Sequence, residues 1–193
     1  MRVTLLDLGV GNLHSLAKAL EAARAGVTVT IETDAARAVS AGVVVLPGVG
    51  AFAPAAERLS PAREALARAL VDGRPCLGIC LGMQLLFESS DEGPGDGLGI
   101  FAGRVTKLAT ARTPHMGWSP LAASASAPAW PWPDAVYYAH SYACRAIEAT
   151  DVVATTELDV VRRGNTVGCQ FHPEKSSRGG LALLGAILEE IGA

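Results

Sequence analysis

The sequence predicts an α/β fold with an open, mixed and largely parallel sheet, flanked by helices, and a C-terminal half rich in β-strands. Up to residue 88, short apolar runs alternate with helical patterns through short connections, which is typical of parallel strands joined by helices. From Gly103 onward short β-like runs dominate. The 193 residues, 50% of them hydrophobic, are enough for one domain spanning 1–193 with a full core.

The elements of the first half are predicted from apolar runs and from the glycine, proline and serine residues that bound them. Residues 3–8 predict a buried strand, and a helical pattern over 13–25 ends at Gly26. Strands are predicted over 27–31 and 43–46. The Ser60-Pro61 pair predicts a helix through residue 70, with the serine as N-cap and the proline in the first turn. A strand over 75–79 leads into an amphipathic helix that begins at Leu81.

The second half is predicted to be strands and loops. Residues 89–99 are rich in turn formers and predict a loop, as does the Pro/Ala/Ser/Trp segment over 122–133. A helix over 180–191 ends the chain. Strands are predicted over 105–108, 136–142, 152–156, 159–163 and 167–171.

Composition excludes several classes of function. A net charge of −3 leaves no basic surface for nucleic acid. The four cysteines lack C-x-x-C pairing and zinc-finger spacing, so we expect reduced thiols in the cytoplasm and no metal site. No apolar run reaches the roughly 20 residues that span a bilayer, so no membrane partner is expected. The glycines at 9 and 11 lack the third glycine of a dinucleotide fingerprint, so no cofactor is predicted.

The central motif is Gly78-Ile79-Cys80-Leu81-Gly82, between a predicted strand and a predicted helix. Glycines two before and two after the central residue are the pattern of a nucleophile elbow, here with cysteine as the nucleophile. A Cβ at either glycine would collide with the neighbouring strand or helix. The helix N-terminus is expected to favour the thiolate of Cys80. The alternative is that Cys80 is a small buried hydrophobe, as many free cysteines are.

A second motif, Phe171-His172-Pro173-Glu174, supplies the other two parts of a triad. Proline forces His172 into an extended conformation, so His172 and Glu174 project to the same side. Glu174 can then orient the imidazole that His172 presents to Cys80, as in acyl-transfer triads. A surface histidine and glutamate at a strand end is the alternative.

The loop after the third predicted strand is a candidate oxyanion hole. Gly48 and Gly50 flank Val49, and this suits a backbone that turns its N–H groups into a site. The N–H of Leu81, which follows the nucleophile, is the other expected donor. Without Cys80, an ordinary strand-ending turn would be the simpler interpretation.

These motifs make the chain resemble the class I glutamine amidotransferases, which share the Gly-flanked cysteine and the His-Pro-Glu run. More narrowly, it is similar to the glutaminase subunits of imidazole glycerol phosphate synthase, from histidine biosynthesis. The resemblance runs nearly end to end and is carried by GNLHS at 11–15, LPGVGAF at 46–52, CLGMQLLFE at 80–88, HMGW at 115–118, HSY at 140–142 and QFHPEKS at 170–176.

The resemblance implies a flavodoxin-like fold and a hydrolytic reaction. Cys80 would attack the side-chain amide of L-glutamine, His172 would carry the proton to ammonia, and Glu174 would orient His172. The backbone at Gly48, Val49 and Leu81 would stabilise the oxyanion. The residues implied to hold glutamine are Gly50, Gln84, Ser141 and Tyr142.

The resemblance also implies a heterodimer with a (βα)8-barrel cyclase subunit, which receives the ammonia. That subunit would make imidazole glycerol phosphate and aminoimidazole carboxamide ribotide. The expected docking residues are Asn12, Trp118, Tyr137 and Lys175, although Trp118 could be core and Lys175 a solvated charge. Tyr137 and Tyr138 alternate along one strand, so only one of them needs to face a partner.

Two other functions are also compatible with these motifs, and one segment differs from the family pattern. The chain could be a class I glutaminase that serves another synthase, or a catalytically silent member that acts as a regulatory module. The segment over 157–165 is shorter than the hairpin usual in the family, which could alter the rim around His172.

Overall fold

The structure, a computed structural model, describes residues 1–38, 42–110, 113–125, 127–146, 152–154 and 159–193. Two short 3-10 helices lie at Ser60–Ala62 and Pro173–Lys175. The other elements of the described residues are, in chain order, β1 (Arg2–Leu6), α1 (Leu13–Ala23), β2 (Thr28–Glu32), α2 (Ala35–Ala38), β3 (Val43–Leu46), α3 (Phe52–Leu59), α4 (Arg63–Val71), β4 (Cys76–Ile79), α5 (Leu81–Gln84), β5 (Ser89–Ser90), β6 (Gly103–Lys107), β7 (His115–Pro120), β8 (Ala135–His140), β9 (Tyr142–Ala146), β10 (Val152–Ala154), β11 (Val160–Arg163), β12 (Thr166–Cys169) and α6 (Ser177–Ile191).

A seven-stranded sheet with the strand order β10-β11-β12-β4-β3-β1-β2 organises these elements. The pairs from β12 through β4, β3 and β1 to β2 are all parallel. The β10–β11 and β11–β12 pairs are antiparallel. The predicted α/β class, with an open, mixed and largely parallel sheet, is confirmed.

Helices cover both faces of this sheet, which is why its central strands read as continuous apolar runs. On β1, Val3 and Leu5 pack into one cluster with residues of α1 and α6, such as Leu20 and Ile187. Leu6, the last residue of β1, belongs to a second cluster that includes residues of α3 and α4. Thus β3 is buried over its whole length.

Two smaller sheets account for strands that the sequence placed incorrectly. The predicted single strand over 136–142 is two strands that meet at Ser141, because β8 pairs with β7 and β9 pairs with β6. Strand β7 was not predicted, since glycine and two prolines in and beside it weaken any strand pattern. The two-residue strand β5 lies in the segment predicted to be a loop and pairs with β6.

The helix boundaries between residues 50 and 90 also differ from the prediction. Ser60 is not the N-cap of a long helix: its backbone N–H donates to Ala56 and Glu57 and closes α3, which was not predicted. A 3-10 turn then leads to α4 at Arg63. The helix after Cys80 is only four residues long and fully buried, so the predicted amphipathic helix is wrong.

The C-terminal edge of the sheet is described in part. The strand predicted over 152–156 is observed over Val152–Ala154, and residues 155–158 lie outside the described residues, including the first two of the short 157–165 segment. In the part of the chain that is described, no helix combines the length and apolar character needed to span a bilayer.

Candidate active site

Cys80 lies at a strained corner between β4 and α5. Its backbone has φ 46° and ψ −102°, in a region that side-chain-bearing residues rarely adopt. A Cβ on Gly78 would lie 2.6 Å from the carbonyl oxygen of Gly82, and a Cβ on Gly82 would lie 2.1 Å from that of Leu46. The two glycines are therefore required by close backbone approaches, as the elbow pattern predicts.

The Cys80 side chain is 5% exposed and has three polar neighbours. Its sulfur lies 3.7 Å from Nε2 of Gln170 and 4.0 Å from the carbonyl oxygen of Ala139. The backbone N–H of Leu81 also donates to it. Gln170 is itself 1% exposed, and its Oε1 has no hydrogen-bond partner among the described residues.

Burial raises the pKa of the Cys80 thiol to about 12. The Leu81 N–H lowers this pKa in the predicted direction, Glu174 raises it, and Gln170 and Lys175 lower it. Because burial outweighs the N-terminus of so short a helix, the expectation of a resting thiolate is wrong. At neutral pH the sulfur carries its proton, so a nucleophilic role requires a base.

His172 lies at the same edge of the sheet as Cys80. Strands β4 and β12 are adjacent and parallel, and the N–H of Cys80 donates to Cys169 at 2.7 Å. Since Cys169 ends β12, the chain brings His172 to that edge three residues later. A Cβ on Gly48 would lie 3.0 Å from Cε1 of His172, so the imidazole packs on the candidate oxyanion loop.

Glu174 orients the imidazole as its spacing predicts. Oε1 of Glu174 accepts a hydrogen bond from Nδ1 of His172 at 2.8 Å, and His172 has no exposed surface. A carboxylate can only accept, so this contact assigns a proton to Nδ1, and the neutral ring then has its lone pair on Nε2. Nε2 is buried and has no hydrogen-bond partner among the described residues. It is therefore available as a base.

A pocket of about 180 Å³ opens beside Cys80. It is lined by eight of the predicted site residues together with four that were not predicted. The predicted ones are Gly48, Val49, Gly50, Cys80, Leu81, Gln84, Ser141 and Tyr142, and the others are Glu92, Pro114, Ala139 and His140.

Glu92 is the functional candidate that the sequence did not reveal. It lies in the segment predicted to be a loop, where nothing in the local pattern distinguishes one acid from another. Its Oε2 accepts a hydrogen bond from the N–H of Phe52, at the start of α3, at 2.8 Å. This contact holds a carboxylate at the wall of the pocket, where it could receive an ammonium group.

A second pocket, of about 240 Å³, is also lined by Gly48 and Val49. Glu174 lines it, together with Asn12 and Lys175 from the predicted docking set. Asn12 also caps α1, since its Oδ1 accepts from the N–H of Ser15 at 3.1 Å. The candidate oxyanion loop thus lines both the pocket at Cys80 and the pocket that contains two predicted docking residues.

The other predicted docking residues lie on the β7–β8 hairpin. Trp118 is 53% exposed, so the alternative that it is core is wrong. Tyr137 is half-buried opposite Trp118, whereas Tyr138 on the other face is buried and its hydroxyl donates to Asp159.

Across the described residues, no group of three or more His, Cys, Asp or Glu side chains could hold a metal ion.

Known proteins identify the family of this fold and site. The family described as glutamine amidotransferase class-I matches residues 4–185. Imidazole glycerol phosphate synthase subunit HisH of Pyrococcus furiosus is 40% identical over 195 residues, covering 95% of this chain and 96% of that protein. The subunit HisH of Synechococcus elongatus is 40% identical over 210 residues, covering 100% of this chain and 94% of that protein.

Solved structures of glutamine amidotransferases share the fold of this chain. One described as a glutamine amidotransferase has a TM-score of 0.78 at 19% identity and covers 99% of both chains. A structure of PurLQS from Thermotoga maritima has a TM-score of 0.70 at 19% identity. The chain therefore belongs to the class-I glutamine amidotransferases and, within them, to the family of glutaminase subunits of imidazole glycerol phosphate synthase.

Proposed function

We propose that the chain acts as one glutaminase domain in which Cys80, His172 and Glu174 hydrolyse L-glutamine for a cyclase partner. The observation that carries this proposal is the buried His172 ring. Its Nδ1 is hydrogen-bonded to Glu174 at 2.8 Å, and its Nε2 has no hydrogen-bond partner in the described part of the chain. The ring follows the strand adjacent to the one that presents Cys80.

The first step is attack by sulfur on the side-chain amide carbon of glutamine. Because burial keeps the thiol protonated, His172 Nε2 takes the proton as the sulfur–carbon bond forms. The carbonyl oxygen becomes an oxyanion, and Glu174 stabilises the imidazolium that results. Gly48, Val49 and Leu81 line the pocket beside Cys80, and their backbone N–H groups would receive that oxyanion.

The second step releases ammonia and then glutamate. The imidazolium of His172 returns its proton to the departing nitrogen, which leaves as ammonia, and a γ-glutamyl thioester remains on Cys80. Water then attacks the thioester while His172 accepts its proton, and the sulfur leaves as a thiol once that proton is returned. The products are glutamate, ammonia and the original enzyme, without any cofactor.

The pocket suits the rest of the glutamine molecule. Gly50, Gln84, Ser141 and Tyr142 line the pocket and would hold the substrate. One N–H of the Gln84 amide is already used, since it donates to the carbonyl oxygen of Tyr142 at 3.0 Å. The Glu92 carboxylate would pair with the α-ammonium group, which a free amino acid has and an internal peptide residue lacks.

The partner would be a (βα)8-barrel cyclase subunit in a cytoplasmic heterodimer. The matched relatives are named as synthase subunits, which implies that a second subunit exists. Asn12, Trp118, Tyr137 and Lys175 are the proposed docking residues, and the four described cysteines are free, as in a reducing compartment. Docking over the second pocket would place the partner next to the Gly48–Val49 loop.

A labelling experiment tests this function. With glutamine labelled with ¹⁵N in its amide, with unlabelled ammonium in the buffer and with the cyclase subunit and its substrate, we expect ¹⁵N in the imidazole product. We also expect faster glutamate formation than with this chain alone. If the cyclase subunit neither accelerates glutaminase nor takes up ¹⁵N, while the partner of another synthase does, the chain serves that other synthase.

A further inference from the structure

The carbonyl oxygen of Tyr142 is held by two side chains at the wall of the glutamine pocket. Nε2 of Gln84 donates to it at 3.0 Å, and Nδ1 of His140 lies 3.0 Å from it. A carbonyl oxygen can only accept, so the proton of His140 is on Nδ1. These two donors fix the Ser141–Tyr142 backbone, where β8 ends and β9 begins.

The tautomer of His140 determines that of its neighbour. With its proton on Nδ1, His140 has an accepting Nε2, which lies 3.3 Å from Nδ1 of His115. With both rings neutral, His115 is then the donor of this pair and carries its proton on Nδ1. Its Nε2 is then an acceptor for the hydroxyl of Ser119, 3.1 Å away. Donation then runs from Ser119 to His115, from His115 to His140, and from His140 to the carbonyl of Tyr142.

Aromatic packing holds the two imidazoles in this geometry. The ring of Tyr138 stacks on His115 at 5.2 Å and on His140 at 5.3 Å between centroids. His115 and His140 face each other across the β7–β8 pair. The opposite face of that pair exposes Met116 and Trp118, which are 63% and 53% accessible. The hydrogen-bonded series therefore runs through the inner face of the hairpin into the pocket wall.

We propose that His115 and His140 are positioning residues for glutamine binding, joined in a relay with fixed tautomers that ties the Ser141–Tyr142 wall of the pocket to the β7–β8 hairpin. The proposal rests on the proposed glutaminase function. If His115 loses its N–H, His140 can shift its proton to Nε2. Its Nδ1 lone pair would then face the Tyr142 carbonyl, and the wall would lose one of its two donors.

The test combines ring NMR with kinetics on the full chain. In protein labelled with ¹⁵N in its histidine rings, and recorded at a pH at which both rings are neutral, we expect both His115 and His140 as Nδ1–H tautomers. In His115→Phe, which keeps a ring for Tyr138 to stack on, we expect His140 to leave this tautomer. The KM for glutamine should rise about 5- to 10-fold with kcat within about twofold.

The matched control is His14→Phe, on the exposed side of α1, which should change neither the KM nor the His140 ring signals. An Nε2–H tautomer at either ring of the wild type would overturn the relay, as would an unchanged KM in His115→Phe. The ring signals do not depend on turnover. If the wild type does not hydrolyse glutamine, the proposed function is wrong, and the ring tautomers alone then test whether the relay exists.

Discussion

Cys80→Ala is expected to lower the rate of ammonia release from glutamine by at least about 10⁴-fold, because removing the nucleophile of a triad leaves only substrate binding and oxyanion stabilisation. The overall structure should persist, since alanine fills the same corner with one atom fewer. Release of glutamate, measured with saturating glutamine and the cyclase subunit present, checks the rate.

Cys76→Ala is the matched control for this variant. Cys76 begins the strand that Cys80 follows, it is equally buried, and burial likewise raises its pKa to about 12. We expect Cys76→Ala to lower the free energy of unfolding by about 1 kcal/mol and to leave the glutaminase rate within about twofold. Equal loss of rate in the two variants would mean that packing, not nucleophilic chemistry, explains the effect of Cys80.

Gly82→Ala is expected to have the largest effect of any substitution that adds a single methyl group beside the site. Its Cβ would lie 2.1 Å from the carbonyl oxygen of Leu46, so either β3 or the start of α5 must move. We expect the free energy of unfolding to fall by about 3 kcal/mol. The rate should fall about 100-fold, because Cys80 moves with the corner. Urea unfolding and the glutaminase assay measure the two effects.

Gly73→Ala separates a steric clash from backbone strain. Gly73 has a positive φ, 96°, which Gly82 does not have, and a Cβ on Gly73 would meet nothing within 4 Å. We expect a loss of about 1 kcal/mol with no change in rate. If Gly82→Ala unfolded at the same urea concentration as Gly73→Ala and kept its activity, the close approach at Leu46 would not constrain the elbow.

The sequence predicted the site well where the reactive residue and the residues that set its backbone geometry belong to the same short motif. The two glycines around Cys80 specify a close strand-to-helix approach, and the proline after His172 specifies an extended backbone that brings Glu174 to the imidazole. Because both motifs follow parallel strands of one sheet, they lie at the same edge. The observed adjacency of β4 and β12 explains why they meet there.

The parts that sequence reasoning missed depend on contacts between distant segments. Glu92 reaches the pocket because its loop packs against the start of α3, 40 residues earlier, and no local pattern encodes that contact. The strands β7 and β8 form their own pair outside the main sheet, which periodicity does not show. The thiolate expectation for Cys80 failed because the burial that raises its pKa comes from the whole fold.

The central claim is that Cys80 carries the γ-glutamyl group during turnover. Acid quenching of the wild type with glutamine, in the presence of the cyclase subunit, followed by peptide mass spectrometry, tests it directly. We expect one γ-glutamyl group on the peptide that contains Cys80, and its loss when hydroxylamine is added. Steady glutamate release with the group on another residue, or on none, would contradict the account.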